Sequence, residues 1–313
     1  MHTPIDVPRP LTDSYRRFHG ERGQEWIAAL PRLAAGLLER WDLRPDGPPA
    51  HGVCALVLPV VRAADGTPAA LKLQMVDEET VGESLALAAW QGNGAVRLLA
   101  HDAASGSLLL ERLAPRSLAD VPDLPAALET LSLLLARLVT APPPPGLRTL
   151  ADIGARMLER APAAIAAFPD PGHRALYTDC AAALREVLPE PGGALLHWDL
   201  HYANVLAGER EPWLAIDPKP LIGDPGFELL PALFNRFAEI EAAPDPARAV
   251  RRRFDLMTEI TSQERPRARA WTLARILQNG LWAADAGTRA APPDHILIYE
   301  ALRRRPERES ARA

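Results

Sequence analysis

The residue types best suited to catalysis lie in one segment, residues 197–204, which reads HWDLHYAN. Asp199 and Asn204 have the spacing of the catalytic loop H-x-D-x-x-x-x-N, in which the aspartate accepts the proton of an attacking hydroxyl and the asparagine binds a metal ion. A second carboxylate, Asp217, follows 18 positions later, at the end of the predicted strand WLAID. This pattern indicates phosphoryl transfer, with Asp199 as the catalytic base and with Asn204 and Asp217 as ligands of Mg²⁺.

A nucleotide donor also needs a cation for its phosphates, and Lys72 is the candidate. It lies in the predicted strand ALKL, where the phosphate-binding lysine of the same template belongs. Glu79 and Glu83 follow one helical turn apart on the next predicted helix, so either glutamate is placed to pair with Lys72 and orient it. Phosphoryl transfer depends mainly on positioning and charge neutralisation, and this set of residues offers both.

Two histidines in the catalytic segment permit another interpretation. His197 and His201 are four residues apart, a spacing that also occurs in zinc sites. The zinc motif H-E-x-x-H requires a glutamate directly after the first histidine and a helix beneath both, whereas Trp198 stands there and the segment follows a predicted strand. A zinc hydrolase is therefore the remote alternative, and we expect His197 to support the loop.

The elements that must position Lys72 lie in the N-terminal part of the chain. Hydrophobic periodicity and turn residues predict, in order, a helix over 23–41, strands over 53–61 and 69–75, a helix over 77–90, and strands over 95–102 and 106–113. Asp65 and Gly66 form the turn of the first hairpin. Pro31 should kink or split the first helix. Together these elements predict a small β-rich lobe.

The remainder of the chain is predicted to be mostly helical. Helical periodicity covers residues 122–140, 149–168 and 172–188, and it returns from Phe227 to about Arg303. Short apolar segments between residues 194 and 217 predict strands around the catalytic loop. The fold class is therefore α+β with two lobes, a nucleotide-binding lobe with leading helices over residues 1–112 and a helical lobe over 113–313.

Composition narrows the classes of partner. The chain has 313 residues and a formal net charge of −5, which argues against nucleic-acid binding and is compatible with a cationic small substrate. No apolar run approaches about 18 residues, so we expect no membrane-spanning helix. The N-terminal residues lack the apolar region of a secretory signal, and two cysteines cannot form a disulfide framework. These features predict a cytoplasmic protein.

At this point the sequence resembles a known family, the aminoglycoside phosphotransferases, which share the protein-kinase-like fold. Within them it is most similar to the group that contains streptomycin 6-kinases and hydroxyurea phosphotransferases. The resemblance extends from about residue 10 to 300. It is carried by the stretches RADGTPAALKLQ, AVRLLAHD, LLLERL, LLHWDLHYANVL, EPWLAIDPKPLIGDPGFEL and WTLARILQNGLW.

The resemblance implies ATP-dependent phosphorylation of an aminoglycoside hydroxyl, most simply at the 6-position of streptomycin, which confers resistance. It implies Mg²⁺ as the cofactor and favours Glu83 over Glu79 as the partner of Lys72. It further implies that the connector at residues 111–113, from Glu111 to Leu113, binds adenine through its backbone. Because no complete G-x-G-x-x-G loop is present, GTP remains an alternative donor.

The same resemblance suggests where the acceptor binds. The wider family usually has glycine where Trp198 stands, so Trp198 is expected to shape the substrate pocket. Since late helices build that pocket in the family, Glu228 and Asp285 are candidates to pair with a cationic acceptor. Asp224 is expected to brace the catalytic loop. A helical stripe is expected to form core packing, and its members are Trp271, Arg275, Gln278 and Trp282.

Two further functions remain open on the same fold. The acceptor of such a phosphotransferase is changed by its late helices, so hydroxyurea or another small hydroxylated metabolite is the alternative substrate. A nucleotide-binding pseudokinase is the non-enzymatic alternative. The sequence disfavours it, because Lys72, Asp199, Asn204 and Asp217 are all present.

Overall fold

The computed structural model describes residues 5–303, which divide into two compact units. The first unit contains the chain up to Pro115 together with residues 207–214, and the second contains residues 116–206 and those from Ala215 onward. The predicted boundary at residue 112 lies three residues before this division. The sequence did not predict that residues 207–214 belong to the first unit.

The first unit is built on a six-stranded antiparallel sheet. Its strands are β1 (Leu43–Pro45), β2 (Ala50–His51), β3 (Ala55–Arg62), β4 (Pro68–Gln74), β5 (Leu98–Asp102) and β6 (Ser107–Glu111). They run in the order β1-β3-β4-β6-β5, and β2 pairs with β3. The predicted hairpin is present as β3 and β4, with Val57 opposite Lys72. Its turn contains Gly66 at φ +70°, a conformation that glycine adopts without strain.

Two helices accompany this sheet, α1 (Arg9–Arg40) and α2 (Glu83–Trp90). Helix α1 begins 14 residues before the predicted start, and its backbone departs from helical geometry at Gly20. Pro31 lies inside the continuous second part of α1 and does not split the helix. That part packs onto the sheet through buried apolar side chains, among them Leu30 and Leu37.

Helix α2 is shorter than the prediction of residues 77–90. The side chain of Asp77 accepts hydrogen bonds from the backbone N–H groups of Glu79 and Thr80, which forms a turn instead of a helical start. The helix then begins at Glu83, with Gly82 as its N-cap residue. Glu79 and Glu83 therefore do not share a helix, contrary to the prediction.

The second unit is mainly helical, as predicted. Its helices are α3 (Leu124–Leu138), α4 (Leu150–Ala166), α5 (Pro171–Val187), α6 (Leu229–Phe234), α7 (Phe237–Glu241), α8 (Pro246–Ile260), α9 (Arg265–Asp285) and α10 (Pro293–Arg303). Four of them start at a side-chain cap, where Asp123, Thr149, Asp170 or Asp245 accepts a backbone N–H of the first turn. Within residues 5–303, no helix combines the length and apolar character needed to cross a bilayer.

Short strands frame the predicted catalytic segment. They are β7 (Arg148–Thr149), β8 (Ala194–Leu196), β9 (Val205–Leu206), β10 (Leu214–Ala215) and β11 (Leu221–Gly223). Strand β11 pairs with β7 on one side and with β8 on the other. The chain enters the catalytic segment from β8 and leaves Asp217 through β11, so one small sheet anchors both ends of the region.

Candidate active site

In the first unit, Lys72 on β4 forms a buried ion pair with Glu83 at the start of α2. The ammonium Nζ lies 2.6 Å from Glu83 Oε1 and 2.8 Å from Oε2. Gln74 Nε2 also donates to Glu83 Oε2. Lys72 is 5% exposed and Glu83 is 1% exposed. The structure thus brings Glu83 onto Lys72, whereas Glu79 lies in the turn before α2.

The predicted adenine connector starts where β6 ends. Glu111 closes that strand, and its carboxylate accepts hydrogen bonds from Arg210 Nε and Nη2 at 2.7–3.1 Å. Arg210 Nη2 also donates to the carbonyl of Ala95. Leu113 follows without regular secondary structure and is half-buried. Because Arg210 belongs to residues 207–214, its bonds explain why that segment joins the first unit, a role that the sequence analysis missed.

In the second unit, His197 fixes the backbone of the catalytic loop. Its side chain is buried, and Nε2 lies 2.9 Å from the carbonyl of Ile216, while Nδ1 lies 3.3 Å from the backbone nitrogen of Asp199. These partners assign the ring proton to Nε2. Burial lowers the pKa of His197 to about 3, so the ring is neutral at pH 7. Both nitrogens are engaged, which leaves neither for a zinc ion.

Asp199 presents a carboxylate that is suited to accepting a proton. Its side chain is 36% exposed. Asn204 Nδ2 donates to the Asp199 carbonyl at 2.9 Å and to Oδ2 at 3.2 Å, which holds the carboxylate in place. Burial raises the pKa of Asp199, and the charge of Arg275, together with that of His201 when its ring is protonated, opposes that rise. Burial also lowers the pKa of His201, whose Nε2 lies 3.9 Å from Asp199 Oδ1.

Asp217 lies beside the catalytic loop because backbone hydrogen bonds join the two segments. The N–H of Ile216 donates to the carbonyl of Asn204, and the N–H of Lys219 donates to the carbonyl of His197, both at 2.9 Å. Asp217 itself has φ +57°, in the left-handed region. Lys219 Nζ lies 2.8 Å from Asp217 Oδ1. No local sequence pattern predicted a role for Lys219.

Asn204 and Asp217 have the donor chemistry that Mg²⁺ requires. With Asn204 Nδ2 bonded to Asp199, the amide oxygen Oδ1 is the atom available to a cation. Asp217 supplies a carboxylate on a side chain that is 34% exposed. Proteins typically bind Mg²⁺ through one or two such oxygens while substrate phosphates and water complete the octahedron. The two oxygen donors therefore fit an ion that is also bound by nucleotide phosphates.

Trp198 does not line an open pocket, contrary to the expectation. Its side chain is 2% exposed, and two guanidinium groups lie over its ring, Arg148 at 4.5 Å and Arg275 at 4.4 Å from the ring centroid. Its backbone has φ +68°, which costs a residue with a Cβ about 1–2 kcal/mol. This backbone explains why glycine suits the position. The two cation–π contacts offset a comparable free energy.

Glu228, instead of Asp224, braces the catalytic loop. Glu228 Oε1 accepts the N–H of Trp198 at 2.6 Å, and the residue is 1% exposed. Asp224 uses Oδ1 to accept the N–H of Gly226 and Oδ2 to accept Arg267 Nε at 2.7 Å. The expected brace by Asp224 is therefore wrong. Glu228 lies beneath the loop, so the expectation of an open carboxylate for the acceptor is also corrected.

Asp285 is the third residue that was expected to contact the substrate. It lies at the C-terminal end of α9 with a side chain that is 58% exposed. Both of its oxygens accept hydrogen bonds from Arg160 Nη2. The carboxylate is therefore engaged in a surface ion pair. Of the stripe on α9, Trp271, Arg275 and Gln278 are buried as expected, whereas Trp282 is 40% exposed.

The buried Glu228 gives a testable pH dependence. Burial raises its pKa to about 7, opposed by the N–H of Trp198 and the charge of Arg275, while the unfolded value is 4.5. The folded protein thus binds this proton more tightly, and the stability that it contributes below pH 4.5 is lost as the pH rises through 7. In Glu228→Gln, the free energy of unfolding should fall less over this interval. Urea unfolding from pH 4.5 to 8 measures the difference, and identical slopes in both proteins would contradict it.

The chain is similar to known antibiotic resistance kinases over most of its length. A family model described as aminoglycoside/hydroxyurea antibiotic resistance kinase matches residues 40–287. The chain is 54% identical over 300 residues to a streptomycin 6-kinase of Streptomyces glaucescens, covering 96% of this chain and 97% of that protein. It is 52% identical over 301 residues to a hydroxyurea phosphotransferase of Kitasatospora aureofaciens, covering 95% and 86%, respectively.

Solved structures share the fold at low sequence identity. The aminoglycoside phosphotransferase APH(4)-Ia, a thermostable mutant in complex with ADP and hygromycin B, has a TM-score of 0.59 and 16% identity, covering 86% of this chain and 97% of its own. The choline kinase LicA of Streptococcus pneumoniae has a TM-score of 0.55 and 11% identity, covering 87% and 97%. The α+β, protein-kinase-like fold expected from the sequence is confirmed.

Proposed function

The chain belongs to the aminoglycoside/hydroxyurea antibiotic resistance kinases, and we propose that it transfers a phosphoryl group from ATP to the 6-hydroxyl of streptomycin. The observation that carries this proposal is the 54% identity to a streptomycin 6-kinase over nearly the whole length of both chains. Phosphorylation of the antibiotic would confer resistance. The nucleotide donor is proposed to be ATP, with GTP as the alternative.

Each residue that matches the catalytic template has one role in the proposed mechanism. Lys72, held by Glu83, would bind the α- and β-phosphates. Asn204 and Asp217 would hold Mg²⁺, which when bound neutralises charge on the phosphate oxygens. Asp199 would accept the proton of the acceptor hydroxyl as its oxygen forms a bond to the γ-phosphorus. The buried ion pair and the braced loop support these roles because they fix the groups before substrate arrives.

A streptomycin acceptor carries guanidinium groups, which favour carboxylates in the site that binds them. Glu228 and Asp285 are engaged with Trp198 and Arg160, respectively. Asp199 offers another carboxylate, and its side chain is partly exposed at the catalytic loop. We therefore propose that Asp199 contributes to attraction of the cationic acceptor as well as to proton transfer.

Hydroxyurea is the second candidate acceptor, because a hydroxyurea phosphotransferase is 52% identical to the chain. Steady-state kinetics with streptomycin and hydroxyurea side by side, followed by NMR of the phosphorylated product, test both. A higher kcat/KM for streptomycin with phosphate on its 6-oxygen supports the first proposal. Turnover of hydroxyurea alone would replace it. Added salt should raise the KM for streptomycin and leave that for uncharged hydroxyurea nearly constant, since salt screens charge pairs.

Replacing Asp217 with alanine should abolish tight binding of Mg·ATP. The change removes the carboxylate of the proposed metal site and leaves Asn204 as a single neutral oxygen ligand. Isothermal titration with Mg·ATP and with metal-free ATP measures the effect, which should be confined to the metal complex. Asp255→Asn is a matched control, because Asp255 forms an exposed ion pair with Arg265. Equal Mg·ATP affinity in Asp217→Ala and Asp255→Asn would rule out the metal role.

A further inference from the structure

The composition of the chain singles out one residue that the proposed mechanism leaves unused. Lysine and arginine together number 35, and of these only Lys72 and Lys219 are lysine. Lys72 is already assigned to the nucleotide phosphates. Every other fixed positive side chain is a guanidinium, so Lys219 is the one remaining position where the sequence places an ammonium. An ammonium is a compact charge with three donors on a flexible stem, whereas a guanidinium is a rigid planar fork.

The structure places the ammonium of Lys219 beside Asp217, the proposed metal ligand. Its Nζ lies 2.8 Å from Asp217 Oδ1, and its side chain is 17% exposed. Its positive charge also acts on Asp199 and opposes the rise in the pKa of that carboxyl. Lys219 therefore contacts the proposed metal ligand directly, and its charge also acts on the proposed base within the same unit.

The backbone of Lys219 is fixed while its side chain has a long stem. Pro218 and Pro220 flank it and are both buried, and each proline ring fixes its own φ. The N–H of Lys219 donates to the carbonyl of His197 at 2.9 Å, and its carbonyl accepts from Arg148 Nη2 at 3.4 Å. The backbone at Lys219 is therefore fixed, and the four-carbon stem allows the ammonium to follow a group that moves during the reaction.

We propose that Lys219 is a further catalytic residue whose ammonium donates hydrogen bonds to the non-bridging oxygens of the phosphoryl group during transfer. This inference rests on the proposed phosphotransferase function. In the step, the acceptor oxygen bonds to the γ-phosphorus and the bond from that phosphorus to the bridging oxygen breaks. The bridging oxygen keeps the electron pair on ADP, and the hydroxyl proton passes to Asp199. Lys219 is not consumed.

Electrostatics explain why a cation is needed at this place. Asp199 and Asp217 are both acidic, and the transferred group carries charge spread over three equatorial oxygens. Preorganised donors directed at such charge stabilise the transition state more than the ground state. Lys219 offers three N–H donors and offsets one of the carboxylates. With a phosphoryl group present, its ammonium exchanges Asp217 Oδ1 for a phosphate oxygen.

Lys219→Met tests the proposal, with Lys219→Arg as the charge-preserving variant and Arg265→Met as a control at an exposed ion pair. In Lys219→Met, kcat should fall about 10²–10³-fold, the usual effect of removing one transition-state donor, while the KM for ATP changes little. Calorimetry should show unaltered affinity for Mg·ADP. Affinity for Mg·ADP with aluminium fluoride, a planar mimic of the phosphoryl group, should fall by a factor similar to the fall in kcat. Lys219→Arg should restore only part of both.

The two-lysine composition provides a readout that needs no turnover. Reductive methylation with ¹³C-formaldehyde labels lysines and the terminal amine, and loss of a signal in Lys219→Met assigns Lys219. The NMR chemical shift of the labelled Lys219 should change when aluminium fluoride is added to the Mg·ADP complex. Four results would overturn the proposal: an unmoved signal, equal loss of Mg·ADP and mimic affinity, full activity in Lys219→Met, or full rescue by arginine. None of these binding tests requires an acceptor, so failure with streptomycin as substrate is a separate outcome.

Discussion

Asp199→Asn should lower kcat about 10²–10⁴-fold, the range that general-base catalysis contributes. The amide cannot accept the hydroxyl proton at neutral pH, so the acceptor oxygen must attack without its base. Asn204 Nδ2 bonds to the carbonyl of residue 199 as well as to its carboxylate, so the loop keeps its main anchor in the variant. Affinity for Mg·ATP should therefore stay close to that of the unchanged protein.

Single-turnover kinetics and calorimetry on the same sample separate the two effects. Glu228→Gln is a suitable comparison, because glutamine retains an acceptor for the N–H of Trp198 without touching the reacting atoms. Its kcat should fall much less than that of Asp199→Asn. Near-normal turnover in Asp199→Asn would show that another group accepts the proton, and the assignment of the catalytic loop would be wrong.

The catalytic loop was predictable because its contacts are local. His197 holds the N–H of Asp199 two residues away, and Asn204 bonds to Asp199 five residues away. A short motif therefore contains most of its own geometry. The hairpin of β3 and β4 was predictable for the same reason, since its turn and alternating strands are continuous in sequence.

The features that escaped prediction depend on partners far away in the chain. Glu228 meets Trp198 across 30 residues, and Arg210 meets Glu111 across 99. The residues next to Glu228 and Arg210 in sequence form no pattern that predicts these partners. Asp224 was the expected brace from its position, but Arg267, 43 residues later, engages its carboxylate. Tertiary packing determines which of these two acidic residues contacts the catalytic loop, and local spacing does not predict it.

The environment of Trp198 was also not predictable, because it depends on residues far away in the chain. The sequence showed a tryptophan where the family usually has glycine, and a bulky aromatic beside the base suggested a pocket wall. The structure instead gives φ +68° and places the guanidinium groups of Arg148 and Arg275 over the ring. Only the positions of those two guanidinium groups, on β7 and α9, reveal why the side chain is buried.

The ion pair of Lys72 and Glu83 should separate stability from catalysis. Lys72→Met leaves Glu83 buried without its ammonium, and breaking such a pair costs about 3–5 kcal/mol of unfolding free energy. The double variant with Glu83→Gln removes both charges and keeps an oxygen for Gln74 Nε2. Because uncharged replacements of a buried pair are often neutral for stability, the double variant should recover most of the loss.

Catalysis should not recover with stability, because the proposed role of Lys72 on the phosphates requires its charge. Urea unfolding and the KM for Mg·ATP, measured on both single variants and the double variant, form a double-mutant cycle for each property. Arg265→Met serves as the reference, since an exposed pair with Asp255 is worth less than about 1 kcal/mol. Recovery of turnover in the double variant would show that Lys72 is not needed to bind the nucleotide phosphates. Failure of stability to recover would instead show that the two charges stabilise the fold beyond the cost of burying them.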